Sequence, residues 1–208
     1  MDWGSFSSLI LPYASGVPAP LLEQHARIAA IEFLKHTKAW QADLFPLAGN
    51  GVLTAFTMIT PADSQVEKLL CVVITDAYGN ITEANVRTAG YAAKLARQGA
   101  FDTIASTLDR STLTVMPAPS AASSIMVTAA LKPTLMAETF PDALFAQYGA
   151  EIAKGAVAAL TSMANRPWTD TGTAQINKAE FNDSKAVTAR QVERGFAISG
   201  RRSATRWF

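Results

Sequence analysis

An α+β fold is predicted by three features of the sequence. Alanine-rich helical periodicity lies towards both ends, β-branched and apolar runs broken by turn signals fill the middle, and a short basic and aromatic stretch closes the chain. The expected architecture is a helical bundle body from residues 1–48 and 134–195, an inserted small β subdomain over 49–133, and an extended C-terminal tail over 196–208. With 208 residues and 49% apolar content, the chain holds enough material for a sizeable core.

The first helix is read from "GVPAPLLEQHARIAAIEFLKHTKAW", where prolines suit the entrance and Leu22, Ala26, Ala29, Phe33 and Trp40 recur at helical spacings. Two of these five residues are alanine, which lets a neighbouring helix approach closely before Phe33 and Trp40 fill the wider end. Gly49 to Gly51 then break the pattern.

From Val52 to Thr75, "VLTAFTMIT" and "VEKLLCVVIT" are separated by "PADSQ" and followed by the turn-rich "DAYGN", which predicts two or three strands. A second β patch runs from Ser111 to Pro133, and its internal Pro-Ala-Pro suits a loop. The two patches are expected to share one sheet. Between them, "VRTAGYAAKLARQGAFDTIASTLD" reads as short helices or a turn-rich excursion, weakened by Gly90 and Gly99.

After Pro141, "DALFAQYGAEIAKGAVAALTSM" predicts a long helix with Asp142 as its cap and Leu144, Tyr148, Ile152, Ala156, Ala159 and Met163 along one face. Gly149, Ala153 and Ala156 are candidate packing residues, either within the bundle or between subunits. Each internal glycine costs about 0.5–1 kcal/mol against alanine, so Gly149 and Gly155 call for close backbone packing in compensation. "NRPW" ends this helix, and a final one is expected from Thr173 to Arg194, closed by Gly195.

Catalytic chemistry finds no handle in this sequence. His25 and His36 are eleven residues apart on one helix, roughly 16 Å by helical rise, too far to share a metal. The single cysteine, Cys71, lies in an apolar run and reads as a buried structural thiol. GxSxG, GxxxxGK[ST] and HExxH motifs are all missing, and the carboxylates are scattered. The expectation is therefore a non-enzyme with no cofactor and no metal. No stretch approaches the ~20 apolar residues of a membrane span, and the N-terminus has no basic leader, so no membrane partner is expected and the protein is read as made in the cytoplasm.

Charge carries more information. The net charge of +1 argues against a general nucleic-acid coat, yet its distribution is uneven. Residues 1–184 hold 12 basic and 16 acidic side chains, whereas Lys185, Arg190, Arg194, Arg201, Arg202 and Arg206 follow with Glu193 alone against them. The chain ends "GRRSATRWF", and Trp207 and Phe208 stabilise only what removes them from water. Such a segment is suited to burial against an acidic partner.

Taken in order, "ILPYASGVPAPLLEQHARIAAIEFLKHTKAW", "LTVMPAPSAASSIMVTAALKPT", "FPDALFAQYGAEIAKGAVAALTSMANRPWTD" and the arginine-containing final helix and tail resemble the head-to-tail adaptor proteins of tailed bacteriophages, of the collar or tail tubular A type. Val86 to Leu108 lies outside the resemblance. It implies a structural virion protein in the neck between capsid and tail. A dodecameric ring would sit beneath the portal protein, receive nozzle or tube proteins of the tail, and let double-stranded DNA pass through its lumen without sequence-specific binding. Adaptors of this kind send a C-terminal segment into the portal, so Arg201, Arg202 and Arg206 would pair with portal acids while Trp207 and Phe208 fill a cleft between portal subunits. Two other readings stand beside it: a different neck protein, a tail terminator or stopper, and a nucleic-acid-binding module using the basic tail with Trp207 as a stacking platform.

Overall fold

The structure, a computed structural model, describes residues 1–52, 54–90 and 103–195. The described chain is α+β, with N- and C-terminal helices packed together and two small β-sheets between them in sequence.

Its first residues are core. A 3-10 turn, Trp3–Phe6, runs into the short helix α1, Ser7–Ile10, and Trp3, Phe6 and Ile10 are all buried. The Trp3 ring packs 5.1 Å from Phe140, Phe6 packs 4.9 Å from Phe145, and Trp3 Nε1 donates to the Ala137 carbonyl at 2.8 Å. The Met1 ammonium donates to the Phe140 carbonyl and pairs with Asp142 Oδ1, both at 2.7 Å. Asp142 is thus not the helix cap the sequence suggests. Pro141 takes that position, and Asp142, in the first turn, anchors the chain's own amine.

Helix α2, Ala19–Thr37, buries Leu22, Ala26, Ala29 and Phe33 as its periodicity predicts. It stops where Lys38 turns left-handed (φ 54°) and donates its N–H to the Leu34 carbonyl. Trp40 therefore falls beyond the helix rather than on its stripe, half-buried and packed against both the helical and the sheet cores. Helix α3, Asp142–Thr161, and helix α4, Thr171–Arg194, complete the bundle. Asp170 opens α4 by accepting from the N–H groups of Gly172 and Thr173 at 3.0 and 3.1 Å, two residues ahead of the expected start.

Gly155 shows why α3 needs a glycine. A Cβ there would lie 2.8 Å from the Phe181 ring of α4 and 3.1 Å from the Ala29 Cβ of α2, so three helices converge on its bare backbone. At Gly149 a Cβ would meet only the Phe145 ring of the same helix, at 3.1 Å.

The β region forms two sheets, not the single one expected. In the first, β9 (Ser124–Pro133) pairs with β1 (Gln41–Asp43) and β2 (Leu47–Ala48) on one side and with β4 (Ser64–Thr75) on the other, and β5 (Ile81–Glu83) follows β4. In the second, the order is β3 (Ala55–Thr57), β8 (Thr112–Met116), β7 (Ile104–Thr107) and β6 (Asn85–Val86). Sheet structure begins at Gln41, inside the stretch the sequence reading grouped with the helical body. The 86–108 excursion contributes β7 and the end of β6, and its residues 91–102 lie outside the described residues.

A shared core joins the sheets: Val66, Leu69, Val72 and Ile74 of β4 and Ile125 and Val127 of β9 bury with Phe56, Leu113 and Val115. Strand β4 breaks simple alternation because its register against β9 shifts between Val66 and Lys68 and again between Leu69 and Cys71. These bulges at Glu67 and Leu70 stretch the inward spacing and leave Lys68 exposed.

One junction ties the sheets to the helices. Asp63, in left-handed conformation (φ 60°), accepts from the N–H groups of Glu138 and Thr139 at 3.1 and 3.0 Å and from the Thr139 hydroxyl at 2.9 Å. Nearby, the Arg27 guanidinium lies 5.5 Å from the centre of the Trp3 ring and donates to the Leu135 carbonyl at 3.1 Å.

Two stability measurements test this account. Gly155→Ala gains helix propensity but must displace the buried Phe181 ring, for a net loss of about 1 kcal/mol, whereas Gly149→Ala presses only on the half-buried Phe145 and changes stability by less than about 1 kcal/mol. Denaturant titration of both variants distinguishes them. The Thr139 hydroxyl and then its N–H hold the Asp63 carboxyl below the usual carboxylate range. That stabilisation is present above the unfolded carboxyl value, about 4, and is lost as pH falls through the depressed native value. The stability difference between wild type and Asp63→Asn should therefore shrink on acidification below about pH 4.

Candidate functional site

The docking residues expected from the sequence, Arg201, Arg202, Arg206, Trp207 and Phe208, lie outside the described residues. The structure does describe the end of the body from which they continue, the last turns of α4. That helix buries a narrow stripe, Ala174, Asn177, Phe181, Lys185 and Thr188, and then leaves Arg190 and Arg194 exposed before Gly195 closes it.

Lys185 was counted with the basic tail, but it belongs to the body. Its ammonium pairs with Glu32 of α2 and lies 4.5 Å from the centre of the Phe181 ring. The stem covers apolar surface and the head holds α4 against α2. Gly149, Ala153 and Ala156 are likewise buried inside the chain's own bundle, where the structure gives them intramolecular neighbours.

His25 and His36 both lie on α2, and desolvation lowers the half-buried His25 below its ordinary pKa. Cys71 is half-buried rather than fully buried, since it sits on the outer face of β4 with its Sγ 3.7 Å from Glu83 Oε1. Burial, and then the Glu83 and Asp43 charges, push its thiol up, which opposes thiolate chemistry. Among the described residues, no three His, Cys, Asp or Glu side chains gather to hold a metal ion, and no helix is long and apolar enough to cross a membrane.

Two grooves flank α4. One, about 430 Å³, lies between the helices and is lined by Gly155, Ala158, Lys178 and Phe181. The other, about 400 Å³, is lined by Tyr148, Glu151, Asp183 and Val187. Neither lining includes a histidine or a cysteine, so neither couples a nucleophile to an imidazole base.

A third recess, of about 240 Å³, forms where the last turns of α4 meet the end of α2 and the outer face of β4. Leu70, Ala189 and Val192 line it with apolar, half-buried surface, Lys38 and Lys68 bring its cations, and His36 lies beside them. Glu193 is the one carboxylate in its lining. Lys38 arrives through the left-handed stop of α2, and Lys68 through the bulge in β4. Sequence inspection had no signal for this pairing, because the two lysines are joined only by tertiary structure.

No protein-family model matches the chain, and no curated protein matches it.

The structural role of Lys185 is open to direct measurement. Lys185→Met keeps the stem and should lose about 1 kcal/mol, a modest figure because Glu32 is exposed enough to rehydrate, while Lys185→Ala should lose about 2 kcal/mol by also uncovering Phe181. Both are read by chemical unfolding.

Proposed function

We propose that this chain is a structural virion protein of a tailed bacteriophage, a head-to-tail adaptor that forms a dodecameric ring between the portal and the tail. The observation that carries the reading is the sequence beyond Gly195, where "RRSATRWF" joins three arginines to two large aromatics after an exposed basic helix end and six intervening residues. Arginine and aromatic side chains are the types enriched at interface hot spots. Arg201, Arg202 and Arg206 pair with portal acids in this account, and Trp207 and Phe208 fill a cleft between portal subunits.

Several features of the body support assembly rather than catalysis. Phe45, Met126, Tyr78 and Ile81 expose large apolar area on or beside the first sheet, material for contacts with neighbouring subunits or tail proteins. A ring also profits from its repeated tails, because each attachment raises the effective concentration of the next. DNA must slide through such a ring, and the mildly acidic composition of residues 1–184 avoids tight phosphate binding along the lumen.

Truncation tests the reading. A chain ending at Gly200 should unfold with wild-type stability, within about 0.5 kcal/mol, yet fail to attach to portal rings in a pull-down. Normal attachment by the truncated chain would sink the docking role, and tight, salt-dependent duplex binding by the isolated full chain would favour a nucleic-acid module instead.

A further inference from the structure

The recess between α2, β4 and α4 joins two observations that the tail does not use. The first is uncompensated charge. Lys38 and Lys68 come from different elements, and among the described residues neither makes an ion pair. Low-dielectric walls around a recess focus the field of such charges more than an open surface does. The second is the lining: half-buried Leu70, Ala189 and Val192 give an incoming side chain apolar contact as well as charge.

Position adds a third consideration. Glu193 lines the recess, and α4 ends one residue later, so the recess lies at the root of the basic C-terminal segment. A partner that engages this segment is brought to the recess by connectivity alone.

The geometry points to this recess as a second docking contact that takes an acidic segment of a protein partner, a carboxylate held by Lys38 and Lys68 with an adjoining apolar side chain against Leu70 and Val192. The inference rests on the adaptor reading, in which that partner is the portal. A nucleic-acid backbone fits less well. It carries evenly spaced phosphates that call for an extended row of cations, whereas this recess is small, partly apolar and includes Glu193. Two contacts on one partner, tail and recess, would reinforce each other through the short chain between them.

The test uses the full chain against portal rings, by biolayer interferometry at low and high salt. A Lys38→Asn/Lys68→Gln double variant removes both charges while Asn still suits the left-handed position. Arg166→Gln, exposed before the start of α4, serves as the control. The double variant should bind portal about three- to tenfold more weakly at low salt and show a shallower salt dependence. The control should bind as wild type does, and thermal unfolding should be unchanged in both. If the double variant binds portal as well as wild type while the chain ending at Gly200 does not bind, the recess inference fails and the adaptor reading stands. Absence of portal binding by wild type itself would overturn both. A fluorescent DNA duplex is the last arm: loss of duplex binding in the double variant, with portal binding intact, would assign the recess to nucleic acid and overturn the protein partner.

Discussion

The placement of α4 depends on one steric fact, the bare backbone at Gly155. Phe181 occupies the space a side chain would fill, against Ala29 of α2, and no other residue type at 155 leaves that ring where it is. Lys185, one turn further on, reaches back to Glu32 and lies over the same ring. The ring sets the depth of the helix and the lysine sets its rotation. Ala189 and Val192 then line the recess opposite Leu70 of β4 and the end of α2, so the recess and the departure point of the C-terminal segment both inherit their geometry from this contact.

A second constraint brings the sheets to that place. Asp63 holds a left-handed turn before β4, and its carboxylate accepts three hydrogen bonds from the segment leading into α3. Close by, Arg27 bridges Trp3 and the Leu135 carbonyl, and the Met1 amine is pinned at Phe140 and Asp142. The N-terminus, α2, the β4 entrance and the α3 entrance are thus fastened within one neighbourhood. Lys68 on β4 and Lys38 at the end of α2 are thereby brought to line one recess.

The helices were legible because their signals are local. Leu22, Ala26, Ala29 and Phe33 repeat at the helical period, and Gly195 closes α4 as expected, whereas α2 stops at the left-handed Lys38 with no glycine or proline to mark it. The sheets were only partly legible. Glu67 and Leu70 are bulges, so β4 buries Val66, Leu69 and Val72 at intervals of three, a pattern no alternation template matches. Strands β1 and β2 are too short to carry a period, and their identity comes from pairing with β9 more than seventy-five residues away. Trp3 and Phe6 were missed for a related reason: two aromatics near a terminus reveal nothing until Phe140 is known to sit beside them. The recess belongs to the same class, a site made by tertiary contact from residues that are individually ordinary.

Charge counted along the chain and charge available to a partner are different quantities here. Lys185 raises the basic count of the C-terminal segment, yet its ammonium is engaged by Glu32 and screened by Phe181, so a partner gains little from it. Lys38 and Lys68 sit in stretches whose composition is unremarkable, but the fold carries them to the end of α4, where Arg190 and Arg194 are also exposed. Of the described cations at this end, Lys38, Lys68, Arg190 and Arg194 are open to a partner and Lys185 is not. In the proposed ring every subunit would present that end in the same direction. Attraction would then act between that end and an acidic neighbour, repeated once per subunit.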